Sequence, residues 1–331
     1  MLLPRPVPCG LLLTVLAGCA TAQATPPDPD CPASDAAAIW IAPARPEPGA
    51  TLSIKAVLTD GPAEELILTD TDGVTVPVDV KLRGGPPWSL SGTLDVPRSG
   101  AYRIAVRRAE TTVACRQVQF GAGEAGPGAS TAVGWTRPVE AYYSAWIEQL
   151  FDAPPQDNLS FKSLEPVLRD PDRNFLHNYL GLNEDNRLPA TPDCADLPYF
   201  LRTYFAWKIG LPVAFRACDR GTASRPPRCG PARIDDRFTA GKSAAGSFTG
   251  LMRQIADTVH SGSARTGLSD ENTDFYPIPL ERKDLWPGSV YADPYGHTLI
   301  VAQWLPQGRA GAGLLLAVDA QPDNSVARKR F

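Results

Sequence analysis

The chain has 331 residues, 43% of them hydrophobic and 21% charged, with 34 Pro and 28 Gly. That much apolar material excludes wholesale disorder, and the length exceeds what one core usually holds. The formal net charge of −4, with no basic excess or basic stripe, argues against a nucleic-acid partner.

Residues 1–24, MLLPRPVPCGLLLTVLAGCATAQA, have the layout of an export signal: Arg5, an apolar run from Leu11 to Ala17, then small residues. The run falls short of the ~20 apolar residues that a spanning helix needs. Two cleavage readings compete. Leu16-Ala17-Gly18-Cys19 resembles the lipobox of bacterial lipoproteins, which implies a lipid on Cys19 and attachment to a membrane. Ala22-Gln23-Ala24 resembles an ordinary small-residue cleavage site. Both readings place the mature protein outside the cytoplasm. The first implies the periplasmic face of the outer membrane or the cell envelope.

Within the segment 25–120, residues 36–120 alternate apolar and polar positions in short runs, such as Thr51 to Val57, Glu65 to Leu68, Val74 to Leu82 and Ala101 to Val106. Turn signals at Asp60-Gly61, Asp72-Gly73 and Ser99-Gly100 separate them. This spacing predicts an all-β sandwich, and Gly100 to Val106 resembles a late strand of immunoglobulin-like domains. Residues 121–136 are small and loop-forming and read as a linker.

After the linker the period becomes helical. Tyr142, Trp146, Ile147 and Leu150 share one face, Leu164 to Leu182 reads as helix in pieces broken at Pro171, and residues 195–209 and Phe248 to His260 read as two more helices. From Pro277 onward the chain is strand-like. Helices followed by strands predict an α+β domain over residues 137–331.

Seven cysteines can be sorted one by one. Cys9 and Cys19 belong to the signal or the anchor. Cys31 and Cys115 bracket the strand-rich segment, and Cys218 and Cys229 bracket a short Arg/Pro/Gly loop, so each couple is expected to pair in an oxidising compartment. Cys194 is then single: either a reactive thiol or a buried inert one.

Cys194 precedes an apolar stripe of Leu197, Phe200, Leu201, Tyr204 and Phe205, which puts it at the start of a buried helix. A helix N-terminus favours a thiolate, and the backbone N–H of Cys194 or Ala195 could hold an oxyanion. Asp193 and Asp196 add opposing negative charge, and Pro198 removes a donor. A nucleophilic thiol needs a base. Of three histidines, His177 lies in a polar run and His260 at a helix end, while His297 opens the apolar run to Trp304. A hairpin with Trp304 opposite Ala312 would set His297 opposite Asp319, where a carboxylate could orient the imidazole. Gln303 and Asp293 are the fallback orienting groups. Trp286, Tyr291 and Tyr295 lie near His297 in sequence and are candidates for lining a cleft.

Asp193-Cys194 opening an apolar helix resembles the nucleophile motif of NlpC-type cell-wall peptidases. Trp286-Pro287-Gly288-Ser289 followed by Gly296-His297-Thr298 resembles that family's PGD-strand-His pattern, with Ser289 in place of the usual Asp. Gly210-Leu211-Pro212 and Val318-Asp319-Ala320 resemble bacterial transglutaminase-like proteins. Both resemblances imply a papain-like α+β domain and a thiol hydrolase without a cofactor. The catalytic group would be Cys194, His297 and Asp319, acting on peptidoglycan peptides or an envelope protein. The transglutaminase-like alternative moves the acyl group to an amine or cleaves protein. A third reading is an inactive envelope-binding scaffold. No CxxC pair, HExxH or His cluster points to a metal.

Overall fold

The computed structural model describes residues 31, 34–95, 98–121, 134–239, 244–269, 272–293, 296–308 and 313–331. The signal segment 1–24, including Cys19, lies outside them.

Eight strands come first: β1 (Ala37–Ala42), β2 (Thr51–Leu58), β3 (Glu65–Asp70), β4 (Thr75–Val76), β5 (Asp79–Arg83), β6 (Trp88–Asp95), β7 (Gly100–Arg108) and β8 (Thr111–Phe120). They form two antiparallel four-stranded sheets, ordered β1-β2-β6-β5 and β4-β3-β7-β8. Leu52, Ile54 and Ala56 of the first meet Leu66, Leu68, Ile104 and Val106 of the second in one core. The Cys31–Cys115 disulfide ties the segment before β1 to β8.

The remaining elements are α1 (Arg137–Leu150), β9 (Ser160–Phe161), α2 (Glu165–Leu168), α3 (Leu197–Ile209), β10 (Val213–Phe215), β11 (Arg233–Asp235), α4 (Ala245–Ala256), a single 3-10 turn (Ser261–Ala264), β12 (Val290–Ala292), β13 (Thr298–Leu305), β14 (Leu314–Ala320) and β15 (Val326–Arg330). A five-stranded antiparallel sheet runs β12-β13-β14-β15-β9, and β10 pairs with β11. Pro138 sits in the first turn of α1, where its missing N–H costs nothing. Gly210, at φ 76°, closes α3 in the left-handed conformation. Leu164 to Leu182 is helical only over α2. Beyond it, Asn178 and Gly181 take positive φ, and the segment proceeds in turns.

The separate C-terminal α+β papain-like domain expected from the sequence does not form. The structure is mostly β, 33% strand and 17% helix, in several small antiparallel sheets. The physical reason lies in β1 and β2. Their residues alternate between two cores: Ile39, Ile41, Leu52 and Ile54 face the opposing sheet, while Trp40, Ala42 and Val57 belong to the core built by the helices. Trp40 stacks on Tyr142 of α1 with ring centroids 4.1 Å apart. α1 therefore lies against β2 on one side and β13 on another, and is buried at all nine of its apolar or small positions from Val139 to Leu150. Helical periodicity marks α1 correctly but does not show that one of its faces is covered by the strands that precede it.

A buried polar network fixes α3. Lys208 Nζ lies 2.5 Å from Glu184 Oε1 and 2.7 Å from Asp185 Oδ2. Tyr204 donates to Asp185 at 2.6 Å, Asn174 donates to Tyr204 at 2.9 Å, and Trp146 of α1 donates to Asn174 at 2.8 Å. Burial alone would raise the Glu184 carboxyl. The Lys208 charge and hydrogen bond, with the Leu180 N–H, bring it below its ordinary value. Replacing Lys208 by Ala leaves two carboxylates buried without a cation, so a loss of about 3–5 kcal/mol is expected in urea unfolding.

Lys55 of β2 is fully buried on the helix-facing side, donating to Ser91 Oγ at 2.8 Å. Burial, then the nearby Arg83 charge, lowers its pKa from 10.5 to about 7. Between those values the unfolded chain binds more protons than the fold. The destabilisation is therefore full below pH 7 and fades as pH rises toward 10.5. Lys55→Met is expected to raise stability by up to about 4–5 kcal/mol at pH 6, with the gain shrinking steadily to pH 10 in denaturant titrations of both proteins.

Candidate active site

Cys194 lies in the turn that caps α3. Asp193 Oδ1 accepts the N–H groups of Ala195 at 2.8 Å and Asp196 at 3.0 Å, and its carbonyl accepts the Leu197 N–H at 2.9 Å. Asp193 is thus the local cap, a role that Asp fills well. The Ala195 N–H, one of the two oxyanion donors expected, is committed to that cap. The N–H of Cys194 itself has no acceptor among the described residues.

The turn is held against the C-terminal sheet. The buried Thr298 hydroxyl, at the start of β13, donates to the Cys194 carbonyl. The Thr298 backbone N–H also favours the Cys194 thiolate. The Cys194 turn therefore lies against Thr298, the residue that follows His297. Gly296, at φ 96°, delivers His297 there, in a turn closed by the Gly296 N–H to the Asp293 carbonyl at 2.9 Å.

His297 is held from the other side. Its Nε2 lies 2.9 Å from Asp319 Oδ1 and 3.1 Å from Oδ2, with hydrogen-bond geometry to Oδ2. The Asp319 side chain is 4% exposed and the imidazole 35%. Burial pushes the Asp319 carboxyl up, against the opposing pull of the His297 charge and hydrogen bond. Gln321 completes the group: its Nε2 donates to Asp319 Oδ2 and lies 3.4 Å from His297 Nε2.

Gln321 was missed because the assumed register was two residues out. Ile300 pairs with Val318 and Val301 with Ala317, before an irregularity at Ala302. Carried back along the strands, this register sets Gln321 opposite His297 and leaves Asp319 diagonal to it. A two-residue shift preserves the face, so the carboxylate still reaches the ring. Ala312, the assumed partner of Trp304, lies outside the described residues; Trp304 pairs with Leu315.

The other candidates disperse. Gln303 binds Glu148 of α1 at 3.3 Å and stands six strand residues, about 20 Å, from His297. Asp293 contributes its backbone, accepting from Gly296 and donating to the His297 carbonyl at 2.8 Å. Trp286 lies under Arg137 at 5.2 Å and donates to the Lys283 carbonyl at 2.7 Å, beside α1. Tyr291 is exposed, its ring 6.4 Å from that of Phe331. Tyr295 lies outside the described residues. His260 follows α4 without belonging to it, and its Nε2 lies 2.9 Å from the Cys218 carbonyl. Cys218 and Cys229 are bonded, and Cys194 is free and half-buried.

The electrostatics at the sulfur oppose a standing thiolate. Burial first, then the Asp193 and Asp319 charges, raise the Cys194 pKa above 9.0, and the Thr298 and Ala195 N–H groups offset only part of this. Asp196 is itself raised to about 6 by burial and by Asp193. With Nε2 committed to Asp319, Nδ1 is the ring nitrogen available to a thiol. None of the hydrogen bonds among the described residues joins the sulfur to the ring. Nor do three or more His, Cys, Asp or Glu side chains among the described residues group to hold a metal ion.

No protein-family model matches the chain, and no curated protein matches it.

A raised thiol pKa has a direct kinetic signature, because the thiolate is the nucleophile. The rate of Cys194 alkylation by iodoacetamide is expected to climb through pH 9, with its midpoint above the ordinary cysteine value. A plateau reached by pH 7 would reveal a preformed thiolate–imidazolium pair instead.

Proposed function

We propose that the chain is an exported thiol enzyme that cleaves an amide bond through Cys194, with His297 as base and Asp319 and Gln321 as positioning residues. One observation carries this reading: an imidazole clamped by a buried carboxylate, with a free half-buried thiol on the residue whose carbonyl accepts from Thr298, the neighbour of His297.

The chemistry follows from the two ring nitrogens. As the sulfur attacks the carbonyl carbon, Nδ1 takes the thiol proton and the S–C bond forms. The amide C–N bond then breaks, and Nδ1 returns the proton to the leaving amine. Water repeats the cycle on the thioester, releasing the acid and restoring the thiol. Asp319, through Nε2, stabilises the imidazolium that exists between these transfers. A thiol that rests protonated fits general-base attack rather than a stored ion pair. The same thioester could pass to an amine, which would make the enzyme an acyl transferase.

The two disulfides suggest an oxidising, exported environment. No helix among the described residues is long and apolar enough to cross a membrane. Attachment through a lipid on Cys19, at the periplasmic face of the outer membrane, is the finer proposal. The motif resemblance to cell-wall peptidases supports stem peptides of peptidoglycan as the substrate class. The raised thiol favours a second reading, an envelope-binding protein in which Cys194 is inert.

The two readings separate on purified muropeptides, with products read by mass spectrometry. Cys194→Ala is expected to abolish cleavage, and His297→Ala to slow it by about 10²–10⁴-fold. Equal product from the wild type and Cys194→Ala, in folded proteins, would overturn the enzyme reading.

A further inference from the structure

The loop stapled by Cys218–Cys229 is joined to the element beside His297 at three points. His260 Nε2 meets the Cys218 carbonyl at 2.9 Å, and Arg265 donates to the Thr222 carbonyl at 3.1 Å. Gly262 packs so closely on the loop that a Cβ there would lie 3.4 Å from Arg220 Cα. The 3-10 turn Ser261–Ala264 lies in turn against β12, and a Cβ at Gly296 would lie 3.6 Å from Ser261 Oγ. Gly296 immediately precedes His297. The path from the Arg220 backbone to the residue before His297 therefore crosses only Gly262 and Ser261.

The charges of the loop are unequal in their commitments. Arg225 pairs with Asp219 at 2.9 Å, and Arg216 donates to the Gly230 carbonyl at 3.1 Å while facing the buried Asp274. Arg220 and Arg228 are exposed, with no acidic partner among the described residues. The disulfide and the Asp219 side chain, which accepts the N–H groups of Gly221 and Arg228 at 2.8 and 2.9 Å, fix the backbone that carries them.

We propose that this stapled loop is a carboxylate-binding subsite of the thiol centre, with Arg220 receiving an anionic group of a peptide substrate. It rests on the thiol reading above and gives it a specificity: substrates that carry a carboxylate near the scissile amide. A guanidinium suits this task because it is always charged and matches a carboxylate in its fork geometry.

Iodoacetate and iodoacetamide test the subsite on the full chain, since they share a leaving group and differ in charge. The ratio of their alkylation rates at Cys194 is expected to fall about threefold or more in Arg220→Gln, and to fall in the wild type as salt is raised. The iodoacetamide rate should be unchanged in that variant, which shows the site intact. A ratio equal in wild type and Arg220→Gln would overturn the subsite. So would a Cys194 that accepts neither reagent. An iodoacetamide rate indifferent to His297→Ala would instead remove the thiol-enzyme reading, while the ratio still reports on Arg220.

Discussion

The cation buried at the end of α3 is the constraint on which the rest depends. Lys208 is fully buried and lies between two adjacent carboxylates, Glu184 and Asp185. Such a group tolerates little displacement, because each charge would be stranded in a poor dielectric without the others. Through Tyr204, Asn174 and Trp146 the same network reaches α1. It also organises the turns after α2, since Glu184 and Asp185 accept the N–H groups of Leu180, Leu182 and Asn178. A segment with little regular structure of its own is thus held by hydrogen bonds to two carboxylates.

With its last turn pinned there, α3 presents its first turn to the C-terminal sheet. Thr298 completes the placement by donating to the Cys194 carbonyl. The turn that carries the sulfur is located by a hydroxyl at a strand end, and the imidazole by a carboxylate on the neighbouring strand. Neither depends on the other. The thiol stays neutral at rest because burial and two acidic neighbours outweigh the N–H groups that reach it. Helix-terminal activation alone is therefore too weak here, and any proton transfer falls to the ring.

Much of this was legible in the sequence where one residue type has few options. The cysteine pairing followed from which segments each couple brackets, and the odd thiol was what remained. The closeness of His297 and Asp319 was legible as a parity, because apolar alternation fixes which face a strand residue takes. Parity does not fix register. The irregularity at Ala302 and the two-residue shift were invisible, and Gln321 with them. The α+β domain was read from a change of period after residue 136, and period reports one helix's own faces, not its neighbours. Helical spacing in 164–182 likewise competed with Asn178 and Gly181, whose positive φ turned the chain instead.

The shared sheet carries one further consequence. β2 has buried residues on both faces, and on its second face Lys55 is fully buried two positions from Val57. An apolar residue there would bury as well and cost less. The lysine, however, faces charges from both partners: Arg83 of β5 on the sandwich side, Glu148 of α1 and Asp152 just after it. Arg83 and Asp152 are themselves paired at 2.5 Å, and Arg282 donates to the carbonyls of Gly85 and Pro86 at 3.0 Å. Apolar contact between a sheet and a helix permits several sliding registers at similar energy, whereas this pattern of charges is satisfied in one. Lys55 therefore trades stability for a single seating of α1, and α1 is the helix that Trp146 links to α3 and its thiol turn.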